Sequence, residues 1–204
     1  MNNANTAQAM YALSINQTAD LIEVIGSSNS TLVQGNMGTG KTSLLHILAA
    51  RLPTHTPCYI DGTTLVDSAD MFMVKYSTDG KTFNTVPLED LGLHTPDRPM
   101  ILMFDELGKM TRSAQLATLR IQLERKHGKM TLHPDSIVFS TTNLGSEGVG
   151  DLLPAHARNR LTVVTMRKPD NMEWIEWGID NDIDPALLGF CKEKPELFHS
   201  FEQY

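Results

Sequence analysis

Residues 35–42 read Gly35-Asn36-Met37-Gly38-Thr39-Gly40-Lys41-Thr42, preceded by the apolar Leu32-Val33 and followed by Ser43-Leu44-Leu45-His46-Ile47-Leu48. The pattern G-x-x-x-x-G-K-T has meaning in one context, a strand that ends in a glycine-rich loop and a helix that starts where the loop closes. The glycines let the backbone curl so that successive N–H groups face one anion, and the helix adds its positive amino end. Lys41 can then reach the β- and γ-phosphates of a nucleotide, while the Thr42 hydroxyl can ligate Mg2+. A chain carrying this octapeptide is therefore constrained to α/β architecture from the outset.

The remaining apolar runs agree. "STLVQG", "CYID", "PMILMFDE", "DSIVFSTTN" and "RLTVVTM" are apolar without clean alternation, as expected of strands buried on both faces of a parallel sheet. Between them lie helical patterns. "KTSLLHILAARL" places Leu44, Leu45, Leu48 and Leu52 on one face and stops at Pro53, and "TRSAQLATLRIQLERKHG" starts at a threonine cap and is expected to stop at Gly128. Residues 5–25 are expected to form an amphipathic helix with Met10, Leu13, Leu21, Ile22 and Ile25 on its apolar face. "SADMFM" could begin a short helix, and "MVKYSTDGKTFNTV" reads as a hairpin turning at Asp79-Gly80 within an insertion of about residues 65–93.

Charge divides the chain near Pro169. Residues 1–167 balance at −1, whereas residues 168–204 carry nine acidic residues against Lys168, Lys192 and Lys194, a balance of −6. Two domains follow as an expectation: 1–168, an α/β nucleotide-binding domain, and 169–204, a short helical tail. The acidic tail argues against a nucleic-acid surface there. Cys58 and Cys191 fit no metal or redox spacing, and the seven histidines are scattered. No membrane-length apolar run or targeting segment is apparent, so a cytoplasmic setting is expected.

Three further groups carry chemistry. Asp105, at the end of the run "ILMFD", would stand beside the loop of a doubly wound sheet and could hold the Mg2+ shell. Glu106 next to it could polarise a water for attack on the γ-phosphate. Asn143 ends the following strand and could orient that water, or be a plain turn residue before "LGSEG". Arg158 and Arg160, in "LPAHARNRL", could complete a neighbouring subunit's site as an arginine finger, since a forked donor suits the spread charge of phosphoryl transfer; ordinary surface arginines are the rival reading.

A phosphate loop, an apolar strand ending Asp-Glu, a strand ending Thr-Asn and then "LLPAHARNRL" together resemble the AAA+ ATPase superfamily, and within it the MoxR-type branch with its phage-encoded members. The resemblance covers about residues 20–168 and implies a P-loop NTPase three-layer sandwich with a central, mostly parallel sheet and a short, incomplete C-terminal helical lid. It makes Gly35, Asn36, Met37, Gly38, Thr39, Gly40, Lys41 and Thr42, with Ser43, the Walker A segment that binds ATP, and Thr42 with Asp105 the Mg2+ site. Glu106 would be the catalytic Walker B acid, Asn143 sensor 1, and Arg160 the finger, with Arg158 second. The family also implies a homo-oligomer, commonly a hexameric ring, that remodels a protein partner, often one with a von Willebrand A domain, in the cytoplasm of a bacterium or a phage-infected host.

One departure stands out. The family's lid normally supplies a further arginine to the nucleotide, yet Arg167 is the last arginine here. The lid is then truncated or reduced, or Lys192 or Lys194 substitutes. The insertion's Lys75, Tyr76, Lys81 and Phe83, and the segment "KHGKMTLHPD", could grip a substrate or be ordinary strand residues. Trp174 and Trp177, three residues apart, could form a partner site, but packing of the tail against the main domain is the expectation. Alternative functions are an ATP-dependent helicase loader or nucleic-acid-associated adaptor, or a P-loop kinase. A GTPase is disfavoured because no N/T-K-x-D motif occurs.

Overall fold

β-Branched and aliphatic runs too apolar for a solvated face must be covered on both sides, and the computed structural model shows how. It describes residues 12–144 and 159–198. Five strands form one sheet in the order β2-β5-β8-β1-β9: β1 Ser30–Gly35, β2 Thr56–Asp61, β5 Met100–Asp105, β8 Ile137–Asn143 and β9 Leu161–Thr165. Every neighbouring pair is parallel. The order places β1, which leads into the phosphate loop, directly beside β8, and β8 beside β5.

The two faces of the sheet feed two cores. Leu102 and Phe104 of β5 and Val138 of β8 face one side, where they meet Ala114, Leu119 and Ile121 of α3 (Arg112–Glu124). Ile101 and Met103, with Ile137 and Phe139, face the other, against Ala19 and Ile22 of α1 (Ile15–Ile25) and Leu44, Leu45 and Leu48 of α2 (Ser43–Arg51). Helix, sheet and helix make three layers, the architecture expected of these runs.

Tertiary structure moved three local boundaries. The first described helix begins at Ile15, because Ser14 closes a capping box with Gln17. Leu13 is instead extended and bridges Met166, its N–H donating to the Thr165 carbonyl. Helix α3 stops at Glu124 rather than at Gly128. Arg125 takes a left-handed conformation (φ 55°) while its guanidinium donates to the Ser136 and Asn29 carbonyls. Gly128 then turns a short hairpin, β6 Lys126–His127 with β7 Met130–Thr131. "SADMFM" gives one turn of 3-10 helix, Ser68–Asp70, followed by strand β3 (Phe72–Tyr76).

The insertion is the expected hairpin, β3 Phe72–Tyr76 paired antiparallel with β4 Phe83–Pro87. Met73, Val74, Tyr76 and Phe83 are exposed, and Lys75 and Lys81 with them. The hairpin is anchored at its base, where Phe72 stacks on His127 with ring centroids 3.5 Å apart.

The chain divides into two compact units, residues 1–167 and 168–204. The second is built of α4 (Asn171–Asp180), α5 (Pro185–Glu193) and α6 (Pro195–Phe198). Within it Gly178 and Ile175 are buried, Trp174 lies 5.7 Å from the Phe198 ring centroid, and Trp177 is half-exposed. Among the described residues no helix is long and apolar enough to cross a membrane.

Candidate active site

The carboxyl ends of β1, β5 and β8 meet at one point, and three contiguous pieces of sequence deliver their polar residues there. The loop after β1 holds Gly38 at φ 74° and Gly40 at φ 87°, values that a Cβ disfavours and that curl the backbone around an open centre. Thr39 is buried and donates to the Asn36 carbonyl at 3.1 Å, bracing the loop. Helix α2 begins immediately after Thr42, whose hydroxyl makes no helix-capping bond and is available for other work.

Lys41 is 7% exposed and folded back over its own loop. Its ammonium donates to the Gly35 carbonyl (3.0 Å), the Asn36 carbonyl (2.9 Å) and Asn143 Oδ1 (2.9 Å). Burial holds it below the ordinary lysine value, while Glu106 and Asp105 pull the other way. A buried ammonium whose three donors rest on neutral carbonyls is set up to accept an anion.

Asp105 is buried and receives four donors. Thr42 Oγ1 and the Tyr59 hydroxyl each donate to Oδ2 at 3.0 Å, and Thr141 Oγ1 and the Glu106 N–H donate to Oδ1. Glu106 sits in the left-handed region (φ 54°, ψ 45°), an uncommon conformation for a non-glycine residue that turns its side chain away from the strand direction. Asn143 Nδ2 donates to both of its carboxylate oxygens, at 3.1 and 3.0 Å, and Lys109 Nζ lies 3.4 Å from one of them. Together Met37 to Thr42, Asp105, Glu106 and Asn143 line a cleft of about 290 Å3.

The geometry thus unites Gly35 to Thr42 with Asp105, Glu106 and Asn143. Ser43 opens α2 at the rim, exposed, and the Met37 side chain is 80% exposed. Arg160 is elsewhere. It immediately precedes β9, whose Leu161 pairs with Ser30 at the amino end of β1, so the length of the sheet, about 16 Å at 3.3 Å per residue, separates it from its own loop. Arg158 lies outside the described residues.

Two residues that hydrogen-bond Asp105 escaped sequence reasoning. Tyr59 reaches Asp105 from the edge strand β2, and Thr141 lies two residues before Asn143, on the same face of β8. Strand parity was a usable signal for Thr141, because residues two apart share a face. Tyr59 had none, since it depends on β2 lying next to β5.

The chain matches the model of the ATPase family associated with various cellular activities (AAA) over residues 31–168, about two thirds of its length. The chain belongs to the AAA ATPase family. That membership implies nucleotide binding, and the donors of this cleft fit the ligands. A hydroxyl and a carboxylate are hard oxygen donors suited to Mg2+, and a buried lysine beside curled glycines suits phosphate.

Solved structures share the AAA ATPase fold at low identity. NtrX from Brucella abortus superposes with a TM-score of 0.52 at 18% identity, over 83% of this chain and 40% of that one. A candidate ATPase from Cytophaga hutchinsonii ATCC 33406 superposes with a TM-score of 0.54 at 16% identity, over 82% of this chain and 51% of that one. This chain therefore spans about half or less of the length of those structures. No curated protein sequence matches it.

Proposed function

We propose that this AAA ATPase hydrolyses ATP with Mg2+ and works as a MoxR-like, oligomeric motor or switch that remodels a protein partner. The observation carrying the reading is Asn143, which ties the phosphate-binding Lys41 to the acid Glu106 through one amide. A loop that only bound phosphate would need no such link.

In this reading the loop N–H groups and Lys41 hold the β- and γ-phosphates, and Thr42 and Asp105 hold Mg2+, which screens charge on the phosphates. Glu106 accepts a proton from the attacking water, and Asn143 fixes that carboxylate's direction. Arg160, remote from its own loop, serves the site of an adjacent copy, which is the feature that favours assembly. The von Willebrand A type of partner is carried by the MoxR resemblance alone.

Lys41→Ala is expected to abolish ATP binding, and Glu106→Gln to retain binding while losing turnover; intact binding in the first or unchanged turnover in the second would sink the ATPase assignment. Turnover per subunit should rise with protein concentration alongside an ATP-dependent increase in mass. Arg160→Ala should lose turnover while still assembling, and a rate independent of concentration would remove the shared site.

A further inference from the structure

A carboxylate offers about four lone-pair positions, and at Asp105 donors occupy all of them. Three donors belong to the nucleotide machinery: the Thr42 hydroxyl, the Thr141 hydroxyl and the Glu106 N–H. The fourth does not. Tyr59 lies on the edge strand, two residues before Asp61, which is in register with Asp105, and its side chain crosses to the end of the neighbouring strand. Tyr59 is 46% exposed, whereas Asp105 is 6% exposed, so the phenol enters the site from the surface.

The two oxygens of Asp105 are not equivalent. Oδ1 is taken by the Glu106 N–H, just past β5, and by the Thr141 hydroxyl of β8. Oδ2 faces the loop, because Thr42 donates to it, and Thr42 is the hydroxyl that would ligate the metal. A hydrated divalent cation next to Thr42 needs an acceptor on that same oxygen, and its remaining acceptor position is the one filled by Tyr59.

We propose that Tyr59 competes with Mg2+ for Asp105: the phenol hydroxyl fills the Oδ2 position that the hydrated cation requires, and metal–nucleotide loading displaces it toward the surface. Tyr59 is then a positioning residue that sets the Mg2+ concentration at which the site loads. The inference rests on the nucleotide-site reading above. Of the Asp105 donors, Tyr59 is the one that can leave without disturbing the loop, the acid or β8.

Tyr59→Phe retains the ring and removes the donor. ADP binding is titrated by calorimetry from zero to excess Mg2+ in the wild type and in Tyr59→Phe. The half-saturating Mg2+ concentration is expected to fall about two- to tenfold in the variant, the scale of one hydrogen bond, with metal-free ADP affinity unchanged. An unmoved midpoint overturns the proposal, and so does a raised one, which would make the phenol a support of the metal site. In the wild type, 13Cζ-labelled tyrosine read by NMR, with Tyr59→Phe identifying the resonance, should move on adding Mg2+ and ADP but not on adding ADP alone. A resonance that ignores Mg2+ also overturns it. Wild-type protein that binds no nucleotide at all would remove the ATPase reading itself, whereas normal binding with an unmoved midpoint removes only the role of Tyr59.

Discussion

Lys41 and Asn143, 102 positions apart in sequence, are joined side chain to side chain, with Nζ donating to Oδ1 at 2.9 Å. Lysine offers only donors and the Glu106 carboxylate only acceptors, so the amide between them has one orientation that satisfies both. Asn143→Asp would keep a partner for Lys41 but set a carboxylate against Glu106. Its turnover is expected to fall about 100-fold or more, the scale of disturbing a general base, while ATP affinity changes far less. Single-turnover hydrolysis and equilibrium ATP binding separate the two. Equal losses in both would make Asn143 a tether for Lys41 rather than a guide for Glu106.

Thr141 is buried, donates to Asp105 Oδ1 and accepts from the Glu106 N–H at 3.2 Å. Thr141→Val keeps the shape and removes both bonds. Leaving buried groups short of a partner costs about 1–3 kcal/mol, or roughly 2–4 °C of melting temperature per kcal/mol in a domain of this size. Thr141→Ser should recover most of the loss. A valine variant that melts like the wild type would show that water replaces the hydroxyl.

Burial pushes the Cys58 thiol up from 9.0 to about 12, with Asp90 adding to the shift. The folded state therefore keeps its proton where the unfolded chain has lost it. This contribution to stability is present in full below about pH 9 and declines as pH rises toward about 12. At pH 8, alkylation followed by peptide mass mapping should mark Cys191, which is partly exposed, well before Cys58. Urea should abolish the difference, and equal rates in the folded protein would contradict the burial of Cys58.

Burial pulls Arg125 down from 12.5 to about 10, so it remains charged at neutral pH and folding near pH 7 gains no pH dependence from it. Its two nitrogens serve the carbonyls of Asn29 at 3.0 Å and Ser136 at 3.3 Å. A lysine lacks the planar fork needed to serve both. Arg125→Lys is expected to cost about 1–3 kcal/mol, seen as a lower urea midpoint with an unchanged slope. The first structure to suffer should be the β6–β7 hairpin, which hydrogen exchange at Leu132, bonded to the Arg125 carbonyl, would report.

What the sequence by itself determined was local. Gly35 to Thr42 had to be a strand-to-helix loop because its chemistry is contiguous, and Asp105-Glu106 and Asn143 were legible as strand-ending polar residues. The hairpin at Asp79-Gly80 and the cap at Thr111 were equally self-contained or nearly so. The tertiary structure decided the order β2-β5-β8-β1-β9, because runs buried on both faces carry no alternation from which neighbours or register could be read. It also decided that α3 ends at Glu124, where carbonyls from Asn29 and Ser136 hold Arg125, and that Leu13 leaves its helix to pair with Met166. Tyr59 entered the site for the same reason. A hydrogen bond to Asp105 across 46 residues exists only once β2 and β5 lie side by side, and no local pattern around Tyr59 encodes that contact.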